Sequence, residues 1–139
     1  MQIIPYIHFG GCCEEALNRY AEVFGGEVEG LMRWRDGPPE MQGDPSFGDK
    51  VMHGSVRFGQ TRLMASDSPP DHYEVPKGVS ISVDIDDIET ARTAFNALRD
   101  DDGQVWMEFG PTFWSKGFGM LTDRFGAQWM ISAGATETA

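Results

Sequence analysis

The sequence predicts an α+β fold assembled from two copies of one βαβββ module, and three observations carry that prediction. Hydrophobic periodicity runs strand, helix, strand, strand, strand across residues 1–67, then repeats that order across 78–133. The hairpin that closes each copy is written almost twice: RFGQTRLMAS at 57–66 and RFGAQWMIS at 124–132 agree once one residue drops from the turn. Between the copies lies a Pro-rich connector (68–77), unsuited to helix or central strand. Two long copies mean a duplicated module, since solenoids use shorter periods and more copies. The chain is therefore expected to form one domain of two modules, ending in a short C-terminal tail.

Each element has a local reason. IIPYIHF (3–9) reads as a strand. From Glu14 to Phe24, Ala16, Leu17, Tyr20, Val23 and Phe24 recur at helical spacing, and Gly25-Gly26 ends the run. EVEGLMRW (27–34) is a second strand. Residues 35–49 hold three prolines and three glycines and read as loop. VMHGSVRF (51–58) and TRLMASD (61–67) are strands joined by a tight Gly59-Gln60 turn. In the second copy VSISVDI (79–85) is a strand, and Asp86 or Asp87 caps a helix whose apolar face is Ile88, Ala91, Ala94, Phe95 and Leu98. Asp100-Asp101-Asp102-Gly103 stops that helix, because carboxylates oppose the negative end of its dipole. QVWMEF, GFGMLTD and AQWMIS complete the set.

Composition limits the function classes. Hydrophobic residues at 40% and aromatics at 12% suffice for a packed core. A net charge of −11 repels phosphate backbones, which disfavours nucleic acid as a partner. No apolar run reaches the roughly 18–20 residues of a spanning helix, so no membrane is expected. MQIIPYIHFGG lacks the basic and long apolar segments of a signal peptide, and a cytoplasmic location is expected. Cys12 and Cys13 are adjacent at a helix start, where they are expected to pack as small side chains rather than react.

PYIHFGG (5–11), ALxxY (16–20), FGG (24–26), FGxxxLMxSD (58–67) and TFWxxGFGxxTDxFGxxWMI (112–131) carry a family resemblance across essentially the whole chain. The sequence resembles the vicinal oxygen chelate superfamily of glyoxalases, bleomycin-resistance proteins and dioxygenases. Within it, the chain is similar to the PhnB-like branch, often labelled demethylubiquinone methyltransferase-like. The resemblance implies a curved, mostly antiparallel eight-stranded sheet around a cavity, helices outside, in a homodimer. Metal enzymes of the superfamily draw one ligand, His or Glu, from the first, fourth, fifth and eighth strands. Strand parity puts Ile4 (or Pro5), Met64, Ser80 and Met130 at those places. None is His or carboxylate, so no metal and no cofactor are expected.

The same parity turns Tyr6, His8, His53, Ser55, Arg57, Met64, Ser66, Ser80, Ser82, Gln128, Met130 and Ser132 toward the cavity. His8 and His53 could instead form a displaced two-histidine metal site, with Asp67 or Glu108 as a guess for a third ligand. Trp114 and Phe118 flank TFWSKGFG, where they wall a pocket or fill a dimer seam; Trp129 is expected under the second helix. A binding protein for a small organic molecule fits this set best, and the acidic balance would suit a cationic aromatic ligand. An enzyme using His8, His53 or Arg57 as general acid, base or oxyanion partner is the alternative, of lyase, isomerase or oxygenase type. A dimeric structural or regulatory protein with a vestigial cavity is the third. No stretch resembles a nucleotide-type methyl-donor site, so methyl transfer has no support from the residues.

Overall fold

The computed structural model describes residues 1–135. Ten elements follow in the order β1 (Tyr6–Phe9), α1 (Cys13–Phe24), β2 (Glu27–Arg33), β3 (Val51–Phe58), β4 (Thr61–Asp67), β5 (Ile81–Ile85), α2 (Ile88–Leu98), β6 (Gln104–Gly110), β7 (Ser115–Thr122) and β8 (Gln128–Ala135). The chain divides into two compact units, Met1–Val75 and the residues from Pro76 onward. Each holds a four-stranded mixed sheet, ordered β1-β4-β3-β2 in the first and β5-β8-β7-β6 in the second. The order is the same, and so are the directions. In each unit the first and fourth strands pair in parallel, while the other two pairings are antiparallel. The fold is the α+β duplication expected from the repeated hairpin.

Registers sharpen the repeat. Met64 lies opposite Tyr6 on one side and Ser55 on the other. Met130 lies opposite Ser82 and Met120 in the matching way. Ser66 and Ser132 are then equivalent, as are His8 and Asp84, their parallel partners.

In the first unit α1 packs on one face of the sheet, against β2, β3 and β4. Ala16, Leu17 and Tyr20 are fully buried, and Phe24 meets Phe58 edge-on at 5.9 Å. Gly25, in the left-handed conformation at φ 73°, ends the helix. α2 buries Ala91, Ala94, Phe95 and Leu98 over its own sheet. Asp87 is its cap, accepting from the Thr90 backbone N–H at 2.9 Å. Trp129 is buried as expected, and its indole N–H donates to Asp123 at 2.8 Å.

Several boundaries differ from the sequence expectation. β1 starts at Tyr6 rather than Ile3, because Pro5 has no N–H for the ladder; its carbonyl still accepts from Met64 at 3.0 Å. β5 starts at Ile81, so Val79 and Ser80 precede it. The parallel partner begins only at Gln128, which leaves Val79 nothing to pair with, and it is 77% exposed instead of facing the helix. The 35–49 loop contains short 3-10 turns and is closed by an Arg35–Asp49 ion pair. β8 runs on through Gly134 and Ala135, expected to be tail. The remainder of that tail, 136–139, lies outside the described residues.

Candidate functional site

Because α1 covers one face of the first sheet, the other face is where exposed chemistry collects. Side chains alternate along a strand, and partners across a ladder share a face. Tyr6 and His8 on β1, Met64 and Ser66 on β4, and His53, Ser55 and Arg57 on β3 therefore stand together opposite the helix. β4 lies between the two histidine strands, so the His8 and His53 backbones are roughly 10 Å apart. Tyr6 bridges that gap. Its ring centroid is 5.0 Å from that of His8 and 5.8 Å from that of His53, at interplanar angles of 38° and 33°. The three rings form a tilted shelf across the sheet.

Hydroxyl groups hold the imidazoles in place. The Tyr6 hydroxyl and His53 Nδ1 share a hydrogen bond of 3.2 Å. His8 Nδ1 stands 3.5 Å from the hydroxyls of both Ser66 and Ser68. Among the described residues no hydrogen-bond partner reaches Nε2 of either histidine. Ser55 is buried and donates to the Glu29 carbonyl at 3.3 Å, so it serves the sheet rather than the open face. Arg57 is engaged as well: it donates to Glu29 and Glu27, both at 3.2 Å, and Arg62 adds a bond to Glu29 at 3.3 Å. Charge on this part of the face is balanced locally. Ser68, Arg62 and Glu29 were not among the expected residues. Ser68 follows the last strand residue, and alternation ranks only residues within a strand.

The matching face of the second sheet mixes polar groups with methionines and an aromatic ring. Ser82 and Asp84 on β5, Met130 and Ser132 on β8, and Phe118 and Met120 on β7 share it. Gln128 stands there opposite Thr122, whose hydroxyl accepts from the Trp106 indole at 2.8 Å. The Ser132 hydroxyl is 3.3 Å from Asp84, which occupies the place of His8. Ser80 lies before β5, outside the ladder. Phe118, within the expected strand GFGMLTD, sits on β7 and is 6% exposed, with the Trp114 ring edge-on at 5.2 Å. Phe113 stacks edge-on against Trp114 at 4.6 Å and is 87% exposed. Ser115, which opens β7, is pinned to Thr112, whose hydroxyl accepts from the Ser115 backbone N–H at 3.1 Å.

The cysteines behave as packing groups. Cys13 is fully buried, and burial, followed by the nearby Asp67 carboxylate, pushes its thiol far above the ordinary range. Neither cysteine forms a disulfide.

Residues 1–132 match the family described as 3-demethylubiquinone-9 3-methyltransferase. The chain belongs to that family. Protein YjdN of Escherichia coli K12 is 31% identical over 140 residues, covering 95% of both chains. The structure of protein PA1353 from Pseudomonas aeruginosa superposes with a TM-score of 0.88 at 42% identity, over 96% of this chain and 98% of that one. A Bacillus cereus PhnB protein, described as a putative 3-demethylubiquinone-9 3-methyltransferase, gives 0.80 at 26% identity over 96% and 100%. This places the chain in the PhnB-like branch. At the level of fold alone it is similar to FosX, a fosfomycin-resistance protein from Listeria monocytogenes solved with Mn(II), with a TM-score of 0.64 at 10% identity over 99% and 95%.

A metal of the kind bound to FosX can be tested against the donors of this PhnB-like chain. Met64 and Met130 offer neutral thioethers, Ile4 offers none, and Ser80 offers a hydroxyl outside its strand. Neutral sulfur bonds weakly to hard or borderline divalent ions and supplies no charge to offset their desolvation. The set does not fit. The displaced site also lacks its guessed third ligand. Asp67 turns to the helix face, where its carboxylate accepts from Gly11, Cys13 and Val51 backbone N–H groups, each at 2.9 Å. Glu108 pairs with Arg99. Among the described residues, no three or more His, Cys, Asp or Glu side chains are grouped to hold an ion.

Proposed function

We propose that this PhnB-like protein binds a small, planar organic molecule on the open face of its first module, without a divalent ion at the superfamily positions. The Tyr6–His8–His53 shelf supports this most directly. Three polar rings lie side by side on the uncovered face, oriented by hydroxyl groups and taking no part in the core. Stacking on aromatic faces contributes about 0.5–1.5 kcal/mol per pair beyond area burial, so a shelf of this kind favours flat ligands. Met64, Ser66, Ser82, Phe118, Gln128 and Met130 belong to the same reading as lining of the two open faces, and Trp114 joins them through its ring contact with Phe118.

A thermal-shift and NMR screen of small planar compounds tests it. A compound at 100 times its dissociation constant should add about 2.7 kcal/mol to stability. It should perturb Tyr6 and His53, and lose its effect in Tyr6→Ala and His53→Ala. If no compound perturbs the shelf, a vestigial face replaces the binding function. Turnover of a bound compound, lost in His53→Ala, would convert the protein into an enzyme with histidine acid–base chemistry. Methyl transfer from S-adenosylmethionine would displace the proposal altogether.

A homodimer goes with this reading. Trp106 is 58% exposed, Met107 42% and Phe113 87%, which is apolar surface that a second copy would cover. Light scattering at micromolar concentration should give twice the chain mass, falling to the chain mass in Trp106→Glu with Phe113→Glu. A cytoplasmic location is part of the proposal too, and cell fractionation checks it.

A further inference from the structure

Resting on that binding function, we infer that the first module selects ligands by hydrogen-bond sense: it takes a planar group bearing an acceptor, such as an aryl carboxylate or enolate, and not an aryl cation. The inference starts from the bond between Tyr6 and His53 Nδ1 at 3.2 Å. Two arrangements of the proton are possible, and their chemistry is unequal. A phenol, with a pKa of about 10, is a good donor, and an imidazole nitrogen, whose conjugate acid has a pKa of about 6.5, is a good acceptor. The reverse bond would use a poor N–H donor and a phenol oxygen whose lone pair is drawn into its ring. The phenol therefore donates, His53 Nδ1 accepts, and the neutral ring must carry its hydrogen on Nε2.

That nitrogen has no partner among the described residues, so it offers an N–H to the open face. His8 repeats the arrangement with two hydroxyls in place of one. Ser66 and Ser68 both stand 3.5 Å from its Nδ1, and a hydroxyl donating there leaves Nε2 as the N–H end. The shelf then carries an N–H donor toward each end.

Local charge agrees with this. The overall charge of −11 would favour a cation, but Arg57 and Arg62 on this face are matched by Glu27 and Glu29. The shelf itself holds no carboxylate to meet an aryl cation. The Tyr6 ring is part of the surface on which the ligand stacks, and its hydroxyl in addition sets the tautomer of His53.

Two readouts test this on the full chain at about pH 8, above the ordinary histidine range. Long-range proton–nitrogen NMR should show His53 protonated on Nε2 and bare on Nδ1, with Tyr6→Phe shifting it toward a mixture of tautomers. A purely structural role for Tyr6 would not move that ratio. Benzoate and benzamidinium then serve as probes, since they share a planar ring and planar head group but have opposite hydrogen-bond sense. Benzoate should shift the His53 Nε2–H resonance, bind about tenfold more weakly to His53→Ala, and recover part of that loss in His53→Gln, which keeps an N–H at similar reach. An Nδ1-protonated His53, a shelf that prefers benzamidinium, or a shelf that neither probe touches overturns the inference. In each of these cases the binding function still stands if any compound of the wider screen perturbs Tyr6 and His53, so the two failures are distinguishable.

Discussion

Replacing Asp67 with asparagine should unfasten the first module without touching its open face. Asp67 ends β4, is 1% exposed, and joins three segments through one carboxylate. One oxygen accepts from Gly11 and Cys13 at the start of α1, and the other accepts from Val51 at the start of β3. Bonds to a charged group contribute about 1.5–3 kcal/mol each, against about 1 kcal/mol for neutral partners. Asparagine keeps one acceptor oxygen for the α1 pair, now neutral, and turns an NH2 toward the Val51 N–H. Two weakened bonds, one lost bond and an opposed pair of donors sum to about 3–5 kcal/mol. At roughly 3 °C per kcal/mol for a chain near this size, the melting temperature should fall by about 10–15 °C. Circular dichroism measures the fall. Hydrogen exchange localises it, with the Gly11, Cys13 and Val51 amides losing protection first. A variant melting within about 2 °C of the parent, with those three amides still protected, would refute the clasp. If Asp67 were instead a metal ligand, the variant would lose metal while those amides kept their protection.

Gly119→Ala should destabilise the second module by about 1–3 kcal/mol, the usual cost of overpacking, because a Cβ there would lie 2.6 Å from Phe95 Cε2 and 3.1 Å from the Phe109 Cα; urea denaturation measures it. Glu14 is bonded by Arg33, which holds its carboxyl below the usual range despite a smaller opposing effect of burial. The stability this adds is complete above the ordinary carboxylate pKa and is lost as pH falls through the depressed one. The melting-temperature gap between the parent and Glu14→Gln should therefore close on acidification, and a gap that persists or widens in acid would contradict it. Elemental analysis of protein purified without chelator should find no stoichiometric Zn, Ni, Mn or Fe that depends on Met64 or Met130. Metal lost with His8 and His53 instead would revive the displaced site.

The sequence alone determined the duplication, because a strand's two-residue and a helix's 3.6-residue periods are local properties that any window of chain displays. It placed both helices, the Gly59 turn and the burial of Trp129, and narrowed the second helix's cap to Asp86 or Asp87, of which the structure uses Asp87. Parity also placed Tyr6, His8, His53, Met64 and Met130 on open faces, since alternation needs no knowledge of a partner strand. Partners were another matter. Arg57 looked available for chemistry until β2 brought Glu27 and Glu29 beside it. Asp67 was one guess for the third ligand of a displaced metal site until β4 ended where α1 and β3 begin. Val79 and Ser80 read as strand, yet β5 begins only at Ile81, and β8 starts too late to pair with Val79. The contact between Tyr6 and His53 joins residues 47 apart in the chain. Only the tertiary structure decided these, because a hydrogen bond or a ladder depends on which distant segment arrives at a few ångströms, and no local periodicity encodes that.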